Sequence, residues 1–183
     1  MQPGPAVNAI GWLMAVWCVG FAVVNIVLEN TDYLADSEYA DHAAALTVMN
    51  WLVVGLKLLG AAVALLSIAK RPPLLPPRLL GVMVWSVFAT LAVYVLGGMA
   101  QALGMLFGLI GSTSQIDLAG LGYLIFFLTA ATGWGVLAVS YSKRHALGWG
   151  PAVLGVLAAP IVLGFVLVAM PILLAALGLM PAS

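Results

Sequence analysis

The sequence predicts an all-α, polytopic integral membrane protein: a single domain over residues 1–183 built as a bundle of five transmembrane helices. Three observations carry that expectation. The chain is 64% hydrophobic and only 7% charged, with a mean hydropathy of +1.19, whereas soluble domains carry about 25% charged residues. A small soluble domain leaves too much of its surface exposed to hide this much apolar material. The apolar residues also fall into long runs separated by short polar or proline-rich breaks. Such runs must be helices, because hydrocarbon cannot satisfy an open backbone and nothing alternates as a barrel strand does. Finally, the loop Lys and Arg residues fall only in alternate breaks, the charge asymmetry that orients membrane helices.

The first span is expected over residues 6–28. Its leading "MQPGPAVNA" has no Lys or Arg, its apolar run is longer than a signal-peptide core, and no small-residue cleavage site follows, so it reads as a retained helix. Cys18 lies within it; a lone cysteine excludes an internal disulfide and a cysteine-based metal cluster, and here it reads as a small packing residue. The second span covers 43–69 and is stopped by "KRPPLLPPR", Lys70 to Arg78, since proline lacks the N–H and restricts the residue before it. The third covers 79–110, which at about 1.5 Å per residue exceeds a hydrocarbon core of about 30 Å. It must tilt, protrude or break, and Gly97-Gly98 is its weakest point. After the polar turn "GSTSQ" the fourth span covers 117–141. After "SKRHALGWGP" the fifth covers 151–179, where Pro160 and Pro171 are expected to bend it.

Lys70, Arg71 and Arg78 lie in the second loop, Lys143 and Arg144 in the fourth, and none in the first or third. The positive-inside rule then places the N-terminus in the cytoplasm and the C-terminus outside.

The first loop, "ENTDYLADSEYADH", concentrates Glu29, Asp32, Asp36, Glu38 and Asp41 with His42. Its everyday use is helix capping: Asp36 or Ser37 at the start of the second helix, with Glu38 and Asp41 near that helix's positive end. A cation site is the chemical alternative. Calcium takes six to eight oxygens, but the spacing lacks the D-x-D-x-D-G pattern and its turn glycine. Zinc would have one histidine, His42, which is thin support. Carboxylate pairs for hydrolysis can be drawn from any acidic loop. Asp117 opens the fourth helix on the same side.

Lys57 is the one charged residue well inside a span. A lysine at the centre of a membrane helix costs about 2.5–3.5 kcal/mol on insertion scales and faces the protein interior. At helical spacing it shares a small or polar face with Thr47, Asn50 and Val54, while Trp51, Leu52, Leu56 and Leu59 lie elsewhere. On the third span Ser86, Thr90, Tyr94, Gly97, Gln101, Gly104 and Gly108 recur at steps of three and four, ending in a G-x-x-x-G that suits close helix approach. Lys57, Asn50, Gln101, Tyr94 and Asn25 are therefore the intramembrane polar candidates, expected to form a buried network with Asn50 and Gln101 nearest the lysine.

No H-E-x-x-H, P-loop or G-x-S-x-G is present. By the topology above, His42 and His145 lie on opposite sides and cannot share a metal. No cofactor or metal is expected, and no basic run long enough for nucleic acid occurs. The Ala-, Leu-, Val- and Gly-rich composition is similar to that of small polytopic proteins of high-GC bacteria, which implies a bacterial plasma membrane and no particular activity. Three function classes follow. The foremost is an accessory or assembly subunit of a larger membrane complex, with the lipid bilayer and other membrane subunits, or further copies of itself, as partners. Next is a small transporter or channel component using Lys57 and Gln101. Last is a membrane enzyme with carboxylates at its outer surface; catalysis is the least expected of the three.

Overall fold

The structure, a computed structural model, describes residues 2–31, 43–70, 75–112 and 117–176. Those residues are helical and contain no strand: α1 (Pro5–Asn30), α2 (Ala43–Ile68), α3 (Pro77–Leu106), α4 (Leu118–Arg144), α5 (Trp149–Gly164), a π-helical segment (Phe165–Ala169) and α6 (Met170–Ala176). Four helices, Pro5–Asn30, Thr47–Ile68, Pro77–Leu106 and Leu118–Arg144, are long and apolar enough to cross a membrane. The fifth expected span is one continuous helical path, but its π segment divides it into pieces of 16, 5 and 7 residues.

The helix ends follow from local chemistry. Prolines begin α1 and α3, where a missing N–H costs nothing. Asp117 caps α4, its side chain accepting from the Gly120 amide at 2.7 Å. α3 ends at Leu106, short of the expected residue 110, because Gly108 turns left-handed (φ +68°). The Gly108 amide then donates to the Met105 carbonyl at 3.2 Å and the Leu109 amide to Gly104 at 2.8 Å, a Schellman stop. A Cβ on Gly104 would lie 2.7 Å from Ile110 Cγ1. The G-x-x-x-G expected to join two helices instead lets the chain fold back over its own helix end. α4 stops in the same way, with Ala146 left-handed (φ 48°) and the Leu147 amide donating to Ser142 at 2.9 Å.

α3 runs unbroken through Gly97-Gly98, so of the three expected alternatives (tilt, protrusion or a break) the break does not occur. A helical glycine costs about 1 kcal/mol. Unbonded backbone groups in hydrocarbon cost several, so the intact helix wins. In the last segment the irregularity falls just ahead of Pro171. That residue has no N–H for the Leu167 carbonyl, and the Met170 amide bonds one residue further back, to Phe165. Pro160 lies inside a continuous α5.

α1 and α2 form a close hairpin, and α4 packs on both α1 and α3. α5 packs on α3, while the sequence neighbours α2 and α3 touch only lightly. Trp134, Leu137 and Ala138 of α4 are fully buried, against Met14 and Cys18 of α1, Val63 and Ala64 of α2, and Leu80 and Val84 of α3. Alanines and glycines at the crossings permit the close approach. The tightest crossing is α3 on α5. A Cβ on Gly155 would press on Trp85 Cβ, and would lie 2.7 Å from the Val82 carbonyl oxygen and 3.0 Å from the Ser86 nitrogen.

Candidate functional site

Lys57 sits on the inner half of α2, on the face that also carries buried Val54 and Ala61; Trp51, Leu56 and Leu59 point outward, as their spacing predicts. Its side chain turns towards α1 and α4. There Trp17 and Phe21 are one turn apart on a single face of α1, stacked at 5.6 Å and nearly parallel. Phe127 of α4 meets both rings edge-on at 5.7 and 5.8 Å. Lys57 Nζ lies 4.3 Å from the Phe21 centroid, 4.5 Å from Trp17 and 5.7 Å from Phe127. All three are within the roughly 6 Å over which a ring face attracts a cation. Phe126 and Tyr94 extend the cluster, Tyr94 packing on Phe127 at 4.3 Å.

The ammonium is therefore held by ring faces. The expected partners, Asn50 and Gln101, do not reach it. Asn50 Nδ2 donates instead to the Asn25 carbonyl at 2.9 Å and to Glu29 Oε2 at 3.1 Å, tying the end of α1 to α2 and giving Glu29 a donor where the negative helix terminus disfavours a carboxylate. Gln101 is exposed on α3. Tyr94 is 54% exposed and stands one ring away from the lysine, beyond Phe127. The single network expected from sequence is thus three separate groups. The first is Asn25, Glu29 and Asn50; the second is Lys57 with its rings; the third is Tyr94 and Gln101 in a groove between α3 and α4.

That groove holds about 500 Å³ and is walled by Tyr94, Gly97, Gln101, Asp117, Gly120 and Tyr123 among others. Asp117 is engaged as the α4 cap and does not reach towards Lys57. Asp32, Asp36, Glu38, Asp41 and His42, with the proposed cap at Ser37, lie outside the described residues. Among the described residues no three His, Cys, Asp or Glu side chains gather as metal ligands would.

At the opposite end His145 closes α4, its ring stacked on Tyr141 at 4.1 Å and its Nδ1 3.0 Å from the Tyr141 carbonyl. Arg144 Nη2 donates to the Ser67 carbonyl at 2.8 Å, a cation on the last turn of α2. Trp85 Nε1 donates to Ser142 Oγ at 2.9 Å, joining α3 to the same end. Sequence reading missed the aromatic cage because it sought polar partners for Lys57. The signal was present: Trp17 and Phe21 are spaced one turn apart mid-span, and the adjacent Phe126 and Phe127 also fall within a span.

Fold and site together define a class: a helical bundle with four helices long and apolar enough to cross a membrane, and a lysine held among aromatic rings between α1, α2 and α4. Comparison with protein-family models, with curated proteins and with solved structures finds no match.

Proposed function

We propose that this chain is an accessory or assembly subunit of a larger membrane complex in a bacterial plasma membrane, with its N-terminus cytoplasmic, five crossings and its C-terminus outside. The observation that supports this most is the open groove between α3 and α4. Exposed Tyr94, Gln101 and Tyr123 stand on helices otherwise apolar enough for lipid, and lipid tails offer Gln101 no hydrogen-bond partner. Gly97 on its wall has nothing within 4 Å of a would-be Cβ, so another protein's helix has room to approach. A photo-crosslinking residue in place of Gln101 should capture one stoichiometric partner, or a second copy, in mild detergent. The same residue in place of Val16, 63% exposed on α1, should capture none. A monodisperse monomer with no adduct from either position would count against the subunit reading.

Topology has its own test. In a membrane-intact cell, a cysteine placed at Ser37 should react with an impermeant reagent and one at Leu75 should not. Native Cys18, 2% exposed, gives little background. The reverse pattern would invert the topology.

A second reading, a transport component, draws on Lys57, whose ammonium has ring faces but no carboxylate beside it among the described residues. An uncompensated intramembrane cation suits an anion or proton path.

A further inference from the structure

We infer that the basic end of α4 carries a binding site for an anionic glycerophospholipid, with the phosphate at Lys143, Arg144 and Ser140 and one acyl chain along Val139, Val136 and Gly135. These residues line a shallow groove of about 580 Å³ on the side of α4 turned away from the core. Their spacing of three and four places them on one helical face. Val136 and Val139 are 39% and 43% exposed, while Gly135 edges the groove where α4 meets the Phe88 ring of α3, 3.1 Å from a would-be Cβ. The bed is apolar and its head is cationic. Lys143 lies about 10 Å along the axis from Val136, at about 1.5 Å per residue, which is the head-to-tail arrangement of a phospholipid.

Charge decides which lipid. All six carboxylates of the chain are Glu29, Asp32, Asp36, Glu38, Asp41 and Asp117. They fall at the end of α1, in the α1–α2 connection and at the start of α4. Arg144 bonds the last turn of α2, so the C-terminal ends of α2 and α4 lie together, opposite the end of α1. Among the described residues Lys143 and Arg144 therefore have no acid at their end, Glu29 lying at the other end and Asp117 about 40 Å away along α4. The carbonyl end of α4 offsets only about half a charge, leaving the pair clearly positive. Arg144 uses Nη2 on the Ser67 carbonyl and Nε on Ser140 Oγ at 3.4 Å, and its remaining donors are available. Ser140, accepting from Arg144, keeps its own hydroxyl hydrogen to give. Lys143 is exposed and brings three donors. A zwitterionic headgroup would bring its own cation to this positive site; an anionic one would not.

The test uses the full chain, delipidated in a neutral detergent, with phosphatidylglycerol as probe and native mass spectrometry or quenching of a fluorescent lipid as readout. We expect phosphatidylglycerol to bind and phosphatidylcholine not to. Lys143→Ala should weaken binding about fivefold, the effect of about one basic residue at a membrane surface. Arg78→Ala, a basic residue on α3 outside the groove, should leave it unchanged. Val136→Trp, which fills the groove without touching charge, should weaken binding as well. Melting temperatures of the three variants should match the unaltered chain; should Val136→Trp melt early, Val136→Phe takes its place. Equal losses from Lys143→Ala and Arg78→Ala would mean diffuse surface charge and overturn the site. So would binding indifferent to residue 136, or displacement of the lipid by millimolar inorganic phosphate.

Discussion

Gly155→Leu should separate α5 from α3. No rotamer helps the substituted chain, because the first carbon beyond Cα already meets the Val82 carbonyl, the Ser86 nitrogen and Trp85 Cβ. Two of these are backbone atoms of a helix and cannot swing aside. Overpacking by a few methylenes costs about 1–3 kcal/mol where side chains can adjust; here the helices must part, and a loss of at least about 3 kcal/mol is expected. Gly155→Ala should show a smaller loss of the same sign. At Gly97, where a Cβ would meet nothing within 4 Å, alanine should be neutral or gain up to about 1 kcal/mol of helix propensity. Thermal unfolding in detergent, with limited proteolysis between α4 and α5, reads all three. A Gly155→Leu protein that melts and resists protease like the unaltered chain would show that α3 and α5 do not cross there.

The second large effect is expected at Lys57. Glutamate in its place would set a carboxylate against the ring faces that now attract an ammonium. The cation–π attraction, about 2 kcal/mol when shielded from water, would be lost. An unpaired charge or a forced protonation would follow. Lys57→Glu should therefore destabilise by about 2–4 kcal/mol. Lys57→Met keeps the length and the contact with Trp17 and Phe21, and should stay folded within about 1–2 kcal/mol. The pair separates two roles. If Lys57→Met still captures its partner through position 101, the lysine organises the bundle. If it folds normally yet the complex loses activity, the lysine belongs to a pathway. Equal stability of the Glu and Met variants would mean that the ammonium does not reside among the rings.

Hydropathy was enough to find α1 to α4, because backbone in lipid has few options and the apolar runs are long. The sequence placed Asp117 at the opening of the fourth helix; that its carboxylate caps α4 through the Gly120 amide was added by the structure. The end of α3 was not, since Gly104 and Gly108 fit both a helix-packing motif and a C-terminal stop, and only the path of Ile110 distinguishes them. Lys57 was legible as an inward-facing residue and illegible as to partner: helical spacing tells which way a side chain points, but not which rings on other helices share its depth. Asn50 shows the same limit. Its polar face was correctly turned inward, yet its amide found Glu29, a residue assigned by sequence to the acidic loop rather than to the bundle.

The light contact between α2 and α3 has a bearing on how the chain is made. The α1–α2 hairpin is complete once residue 68 has been made. α3 then emerges with little to dock against, since its main contacts are to α4 and α5. Assembly must wait for α4, which brings Trp134 between the hairpin and α3, and α5 can add only to an α3 already in place. The order of synthesis thus leaves one helix waiting, with its small-residue crossings at Gly81 and Gly98 uncovered. During that interval α3 is the element most open to non-native contacts.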